Sequence, residues 1–190
     1  VTLVILLVAT FAYFQFSHNS KYLRFDFSHY QKVEKEELEA IEKLVNYKIR
    51  SSIALKEDRN IPFDKAIQQG AMALFGEKYG DTVRMVTFDQ DFSVELCGGT
   101  HVSNTAQIGS FRIVSEGAVA AGVRRIEAFT GAHADDYVKN QLELLDLVRS
   151  ELGNQKDILK AIKEIKNENF SFKEKLEAFE HEQVAGLKNK

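Results

Sequence analysis

Cys97 and His101 are the two residues of this chain whose types and spacing can do chemistry together. They lie in the stretch Ser93-Val94-Glu95-Leu96-Cys97-Gly98-Gly99-Thr100-His101-Val102. A thiolate and an imidazole with three residues between them can turn onto one small cation, because Gly98 and Gly99 permit positive φ and a close backbone approach. Sulfur and imidazole nitrogen are both good zinc ligands, at about 2.3 Å and about 2.0 to 2.1 Å. Two ligands do not complete such a site, since a catalytic zinc takes three from the protein and keeps one position open. The same pair also reads as a cysteine nucleophile with a histidine base, which needs a third, orienting group that does not stand out here. A third reading is a buried cysteine and a surface histidine on a glycine-rich turn. Spacing alone leaves all three open.

The elements that must position this stretch follow from hydrophobic periodicity. Tyr22 to Phe27 alternates apolar and polar residues, the period of a half-buried strand. Leu38, Ile41, Val45 and Ile49 recur at helical spacing among Glu and Lys, which predicts an amphipathic helix. Pro62 suits the first turn of a short helix over Phe63 to Ile67, with Gly70 at its end. The stretch from Gly70 to Gly80 reads either as a mobile rim or as a helix packed around Ala71, Leu74 and Phe75. Thr82 to Phe88, Phe92 to Leu96, Ile108 to Val114 and Val123 to Phe129 read as strands, so Cys97 falls at a strand end. This order predicts an α+β sandwich, a mostly antiparallel sheet with helices on one face, followed by a helical or coiled-coil tail.

Three segments separate. Residues 1–20 are atypically apolar, with Val1 to Phe16 broken only by Thr2, Thr10 and Gln15. No Lys or Arg precedes Lys21, so a secretory leader is not indicated, and the run falls short of the ~20 residues of a membrane helix. It reads as a truncated or frameshifted edge rather than a membrane anchor. Residues 21–131 hold the mixed elements. Residues 132–190 are charged and helical, with Leu145, Leu152 and Leu159 spaced by seven and Ile165, Phe172 and Phe179 likewise. The two series do not share a register, so a stutter lies between them. They predict either an antiparallel hairpin packed on itself or an intermolecular coiled coil, and hence a homodimer.

Composition bounds the rest. A 44% hydrophobic fraction over 190 residues suffices for a real core. A net charge of −3 and a pI near 6.0 give no global electrostatic case for nucleic acid, so an RNA partner must be met by a local patch. Arg24, Arg112, Arg124 and Arg125 are taken as the candidate local positive residues of the middle segment. One cysteine excludes an internal disulfide and suits a reducing, cytoplasmic compartment.

Four longer stretches carry a resemblance. Leu23-Arg24-Phe25-Asp26-Phe27-Ser28-His29, Gly70-Ala71-Met72-Ala73-Leu74-Phe75-Gly76-Glu77-Lys78-Tyr79-Gly80-Asp81, Val94-Glu95-Leu96-Cys97-Gly98-Gly99-Thr100-His101 and Gly122-Val123-Arg124-Arg125-Ile126-Glu127-Ala128 resemble the alanyl-tRNA synthetase family, in its order and at its spacing. The resemblance covers that family's editing domain and the start of its carboxy-terminal helical region, and so implies a fragment. It implies hydrolysis of tRNA(Ala) wrongly charged with serine or glycine. Such a second site is needed because a pocket that accepts alanine cannot strongly reject a smaller side chain or an added hydroxyl. In the family, zinc is held by H-x-x-x-H and C-x-x-x-H; Cys97 and His101 match the second pair, and no H-x-x-x-H precedes Leu23. Arg124 and Arg125 become candidate contacts to tRNA phosphates. ATP and Mg2+ would belong only to an aminoacylation core, which nothing here resembles. The alternatives are a non-catalytic tRNA-binding and dimerisation fragment and a free-standing alanyl-tRNA editing factor.

Overall fold

The computed structural model describes residues 22–73 and 78–188. The apolar run Val1 to Phe16 and the proposed helix around Leu74 and Phe75 lie outside them in whole or in part. The chain divides into two units, one ending at Tyr137 and the other running from Val138.

The first unit is α+β, built on two three-stranded antiparallel sheets. Sheet one orders β1 (Leu23–Ser28), β6 (Val123–Thr130) and β5 (Phe111–Ala120), with β6 central. Sheet two orders β2 (Lys56–Pro62), β3 (Thr82–Asp89) and β4 (Ser93–Leu96), with β3 central. Helix α1 (Lys35–Arg50) forms where the helical spacing predicts it, and buries Ile41, Val45 and Ile49. Its first turn is closed by the Glu37 carboxylate, which accepts from the Glu34 backbone N–H at 2.9 Å. The buried stripe of α1 packs with Leu23, Phe25, Phe111, Ile126 and Ala128 of sheet one and with Val86 and Phe88 of β3. The opposite face of sheet two forms a smaller cluster, in which Val83, Met85, Val94 and Leu96 meet Ala66 of the short helix α2 (Phe63–Gln68).

Two side chains lock α1 to later parts of the chain. Asn46 brackets Phe111, donating to its carbonyl at 2.8 Å and accepting from its N–H at 3.1 Å, as a neighbouring strand would. Thr105 opens a single 3-10 turn (Thr105–Ile108); its hydroxyl accepts from Ile53 N–H and donates to the Lys48 carbonyl, both at 2.9 Å. That turn occupies the start of the strand predicted over Ile108 to Val114, so β5 begins later and runs to Ala120. At Gly109, φ is +75°, and an added Cβ would stand 3.0 Å from the Gly131 Cα, so both the backbone angle and the close approach require glycine. Pro62 closes β2 and caps α2 rather than lying in its first turn.

Strand β2 has no counterpart among the predicted elements. Its sequence, Lys-Glu-Asp-Arg-Asn-Ile-Pro, buries only Ile61. An edge strand pairs through its backbone and shows no apolar alternation.

Helix α3 (Gly131–Glu151) begins in the first unit, where Ala134 is buried and Asp135 accepts from the Ser110 hydroxyl at 2.8 Å. In the second unit α3 ends at Gly153 and Asn154, both left-handed, with Asn154 N–H closing onto the Arg149 carbonyl at 2.9 Å. Asp157 then caps α4 (Ile158–Lys188) by accepting from Lys160 N–H at 2.9 Å. The heptad side chains do not pack as a self-contained hairpin: Leu159 is 71% exposed and Phe172 66%, and Leu145, Ile165 and Phe179 are exposed as well. No helix among the described residues is long and apolar enough to cross a membrane.

Candidate functional site

The site grows from one face of sheet two. Alternation along β3 sends Val83 and Met85 into the smaller cluster and turns Arg84, Val86 and Phe88 to the other side. Register places Glu57 of β2 and Glu95 of β4 on either side of Val86, so both glutamates share that face. Cys97 follows β4 directly, with its backbone N–H bonded to the Arg84 carbonyl at 3.2 Å. The loop from Cys97 to His101 then returns the chain to the same face, and the His101 ring lies 6.3 Å from that of Phe88.

His101 carries the strongest chemical signal in the unit. Among the described residues neither Nδ1 nor Nε2 has a hydrogen-bond partner, although both are buried. A buried polar atom without a partner costs roughly 1–3 kcal/mol, so such atoms mark strain or a missing ligand. Burial first, and the Arg84 charge second, hold the imidazole below its usual pKa, with Glu57 acting weakly in the opposite sense. That shift favours the neutral form that a metal ligand needs. Cys97 is half-buried and is not disulfide-bonded.

A cysteine sulfur and an imidazole nitrogen are both donors that zinc accepts, so the two side chains suit it in kind. Among the described residues no three His, Cys, Asp or Glu side chains converge to hold a metal, so the remaining ligands are not supplied by those residues. Gly98 and Gly99 do not use the positive φ that glycine permits, and Gly98 has open space where a Cβ would stand. The turn is held instead by the Arg84 guanidinium, whose Nη1 donates to the Cys97 carbonyl at 2.7 Å and to the Gly99 carbonyl.

Sequence reasoning missed three residues of this face. Arg84 and Glu57 form an ion pair at 2.6 Å, and Glu57 also takes Arg59 at 2.6 Å. Those hydrogen bonds, Arg84 first, bring the Glu57 carboxyl down to about 2. Glu95 accepts from the Ser93 hydroxyl at 3.0 Å, yet burial dominates and pushes its pKa up to about 7. The signal available in the sequence was a lone charge inside an otherwise apolar strand, at Arg84 and again at Glu95.

The four arginines singled out from the sequence lie elsewhere, on sheet one. Arg124 grips Glu116 across the β5–β6 pair through two hydrogen bonds, the second at 2.8 Å. Arg125 grips Asp26 in the same manner at 2.6 and 2.8 Å. Arg112 meets Glu42 at 2.5 Å, and Arg24 lies 5.8 Å over the Tyr22 ring.

The stretch that carries this site is shared with known proteins. The family described as "Threonyl and Alanyl tRNA synthetase second additional domain" matches residues 83–127, which run from β3 into β6 and contain Cys97 and His101. An alanine–tRNA ligase of Cytophaga hutchinsonii is 50% identical over 169 residues, 89% of this chain and 19% of that protein. One of Campylobacter jejuni is 56% identical over 158 residues, 83% of this chain and 18% of that protein. One of Bacteroides fragilis is 48% identical over 168 residues, again 19% of that protein. The chain spans about a fifth of the length of the curated relatives it matches. Over the residues it shares with them, the chain belongs to the alanyl-tRNA synthetase family.

Proposed function

We propose that the site on sheet two is an aminoacyl-tRNA editing site, hydrolysing the ester of tRNA(Ala) charged with serine or glycine. The observation that carries this reading is the buried, partnerless imidazole of His101 beside Cys97, inside the stretch shared with the synthetase domain. In this reading residues 21–131 are the editing domain and 132–190 its helical tail. Zinc held by Cys97, His101 and further ligands would orient or polarise the ester and its attacking water. The chain's own contribution is to present a cysteine sulfur and an imidazole from one short loop, the imidazole beside the Phe88 ring. Arg124 and Arg125 are proposed contacts to tRNA phosphates, Arg125 the better placed because its side chain is 31% exposed against 12% for Arg124. The compartment proposed is the cytoplasm. Charging of tRNA with alanine, and the ATP and Mg2+ it uses, belong in this reading to parts of the longer relatives that lie outside the matched segment.

The test is release of serine from serine-charged tRNA(Ala) by this chain with zinc supplied. We expect turnover in the parent chain and at least a tenfold loss in Cys97→Ala, in line with loss of a ligand. Equal rates in the two, or none in a folded parent chain, would overturn the editing reading.

A second reading is a non-catalytic tRNA-binding and dimerisation segment. It is favoured by the apolar heptad side chains that α4 leaves exposed. A free-standing editing factor is the third, and the continuation of identity through the tail speaks for the synthetase instead.

A further inference from the structure

We propose that Arg84 is the positioning residue of the site, a guanidinium clamp that sets the Cys97–His101 loop through its backbone carbonyls. The inference rests on the metal-binding reading of the site and adds to it the device that shapes the ligand loop.

The geometry is that of a fork. Arg84 Nε donates to Glu57 Oε1 at 2.6 Å, which fixes the guanidinium plane to the neighbouring strand. Nη1 then reaches both the Cys97 and the Gly99 carbonyls, which bracket Gly98. Two carbonyls drawn to one nitrogen bend the chain without any left-handed residue, in agreement with the φ values of Gly98 and Gly99. The Arg84 side chain is only 21% exposed and Glu57 20%, so the pair is partly withdrawn from water. Lysine cannot replace this arrangement, because an ammonium is a point donor without a rigid fork. The acceptors are the main-chain oxygens of Cys97 itself and of Gly99, so Arg84 acts through the loop and not on the substrate.

The experiment uses the full chain and cobalt alone as probe, read by the thiolate-to-cobalt charge-transfer absorption that reports Cys97. Partners that orient a ligand typically cost about 10- to 100-fold in metal affinity when removed. We expect Arg84→Gln to weaken cobalt binding by about tenfold or more, and Arg84→Lys to recover little of it. A second readout needs no metal: the rate at which Cys97 reacts with a thiol reagent under native conditions should rise in Arg84→Gln. Ile126→Ala, destabilised on sheet one, serves as the control for stability loss alone. Wild-type cobalt affinity and an unchanged thiol rate in Arg84→Gln would overturn the clamp. So would a thiol rate raised no more than in Ile126→Ala at matched stability. Should the parent chain give no cobalt–thiolate absorption, the metal reading fails by itself, and the thiol rate still decides whether Arg84 orders the loop.

Discussion

The two sheets of the first unit use arginine in opposite ways. On sheet one, Arg124 and Arg125 each direct two donors to one carboxylate, Glu116 and Asp26, and the pairs close on themselves. On sheet two, Arg84 gives one donor to Glu57 and another to backbone oxygens of a loop. The first arrangement ties strand to strand, with Glu116 only 3% exposed and held well below the usual carboxylate range by its Arg124 hydrogen bonds. The second transmits the position of a strand to two potential metal ligands. Sheet one also supplies five of the buried residues of the large core, including Phe111, Ile126 and Ala128 at 0% exposure. The difference separates a sheet that stabilises from a sheet that presents the candidate site. It also shows that a motif rich in arginine need not be the one whose arginine shapes the site.

The largest expected effect breaks the stabilising side of that comparison. Ile126 sits on the central strand of sheet one, fully buried between β1, β5 and the α1 stripe. Ile126→Ala removes buried methylene groups and leaves a cavity, at a cost of roughly 2–5 kcal/mol in urea unfolding. If the two sheets divide the work in this way, the folded variant keeps parental cobalt affinity, and a fall in that affinity would show the division to be false.

Much of this division was legible in the sequence, and the limits have physical causes. Alternation located β1, β3, β4 and β6, and helical spacing located α1, because each buries one face. Edge strand β2 buries almost nothing but Ile61, so its pairing is invisible to hydrophobic pattern. The split into two sheets depends on which strands exchange hydrogen bonds, and those groups are the same in every residue. The Cys97–His101 pair stood out as a candidate through the chemistry of its residue types. The clamp was not, because the partners of Arg84 lie 27 residues before it and 13 and 15 after it, and two of the three acceptors are carbonyls with no side-chain signature. The heptad pattern of the tail was legible as a pattern but not as a packing arrangement, since the same spacing serves a hairpin or a second chain.

A smaller effect sharpens the reading of sheet two as the chemical one. Glu95 is driven up to about 7 by burial, against an ordinary value of 4.5. A raised carboxyl pKa means the folded state holds its proton more tightly than the unfolded state. Stability of the metal-free chain therefore falls as pH rises from about 4.5 to 7, and the cost stays constant above that. Glu95→Gln should remove the fall and stabilise the chain at pH 8 by roughly 2 kcal/mol, allowing for partial exposure. Unfolding midpoints of parent and variant that run parallel across this pH range would refute the assignment.

The smallest effect concerns the glutamate on the other side of Val86, which is shifted in the opposite sense. Glu57 is brought down to about 2 by Arg84 and Arg59, so its contribution is fully present above 4.5 and is lost only as pH falls towards 2. The pair is only partly withdrawn from water, so salt still screens it and the gain in global stability is slight. Its local consequence is clearer. At pH 4 most free carboxylates have begun to protonate, yet the Arg84–Glu57 contact should still hold the loop. Thiol reactivity of Cys97, corrected for the intrinsic ionisation of a cysteine, should stay flat from pH 7 to 4 in the parent chain. In Glu57→Gln it should be raised throughout, by less than in Arg84→Gln, because the two carbonyl bonds of Arg84 remain. A corrected rate in the parent chain that climbs already near pH 4.5 would mean that Glu57 does not anchor the guanidinium, and the clamp would then rest on the carbonyls alone.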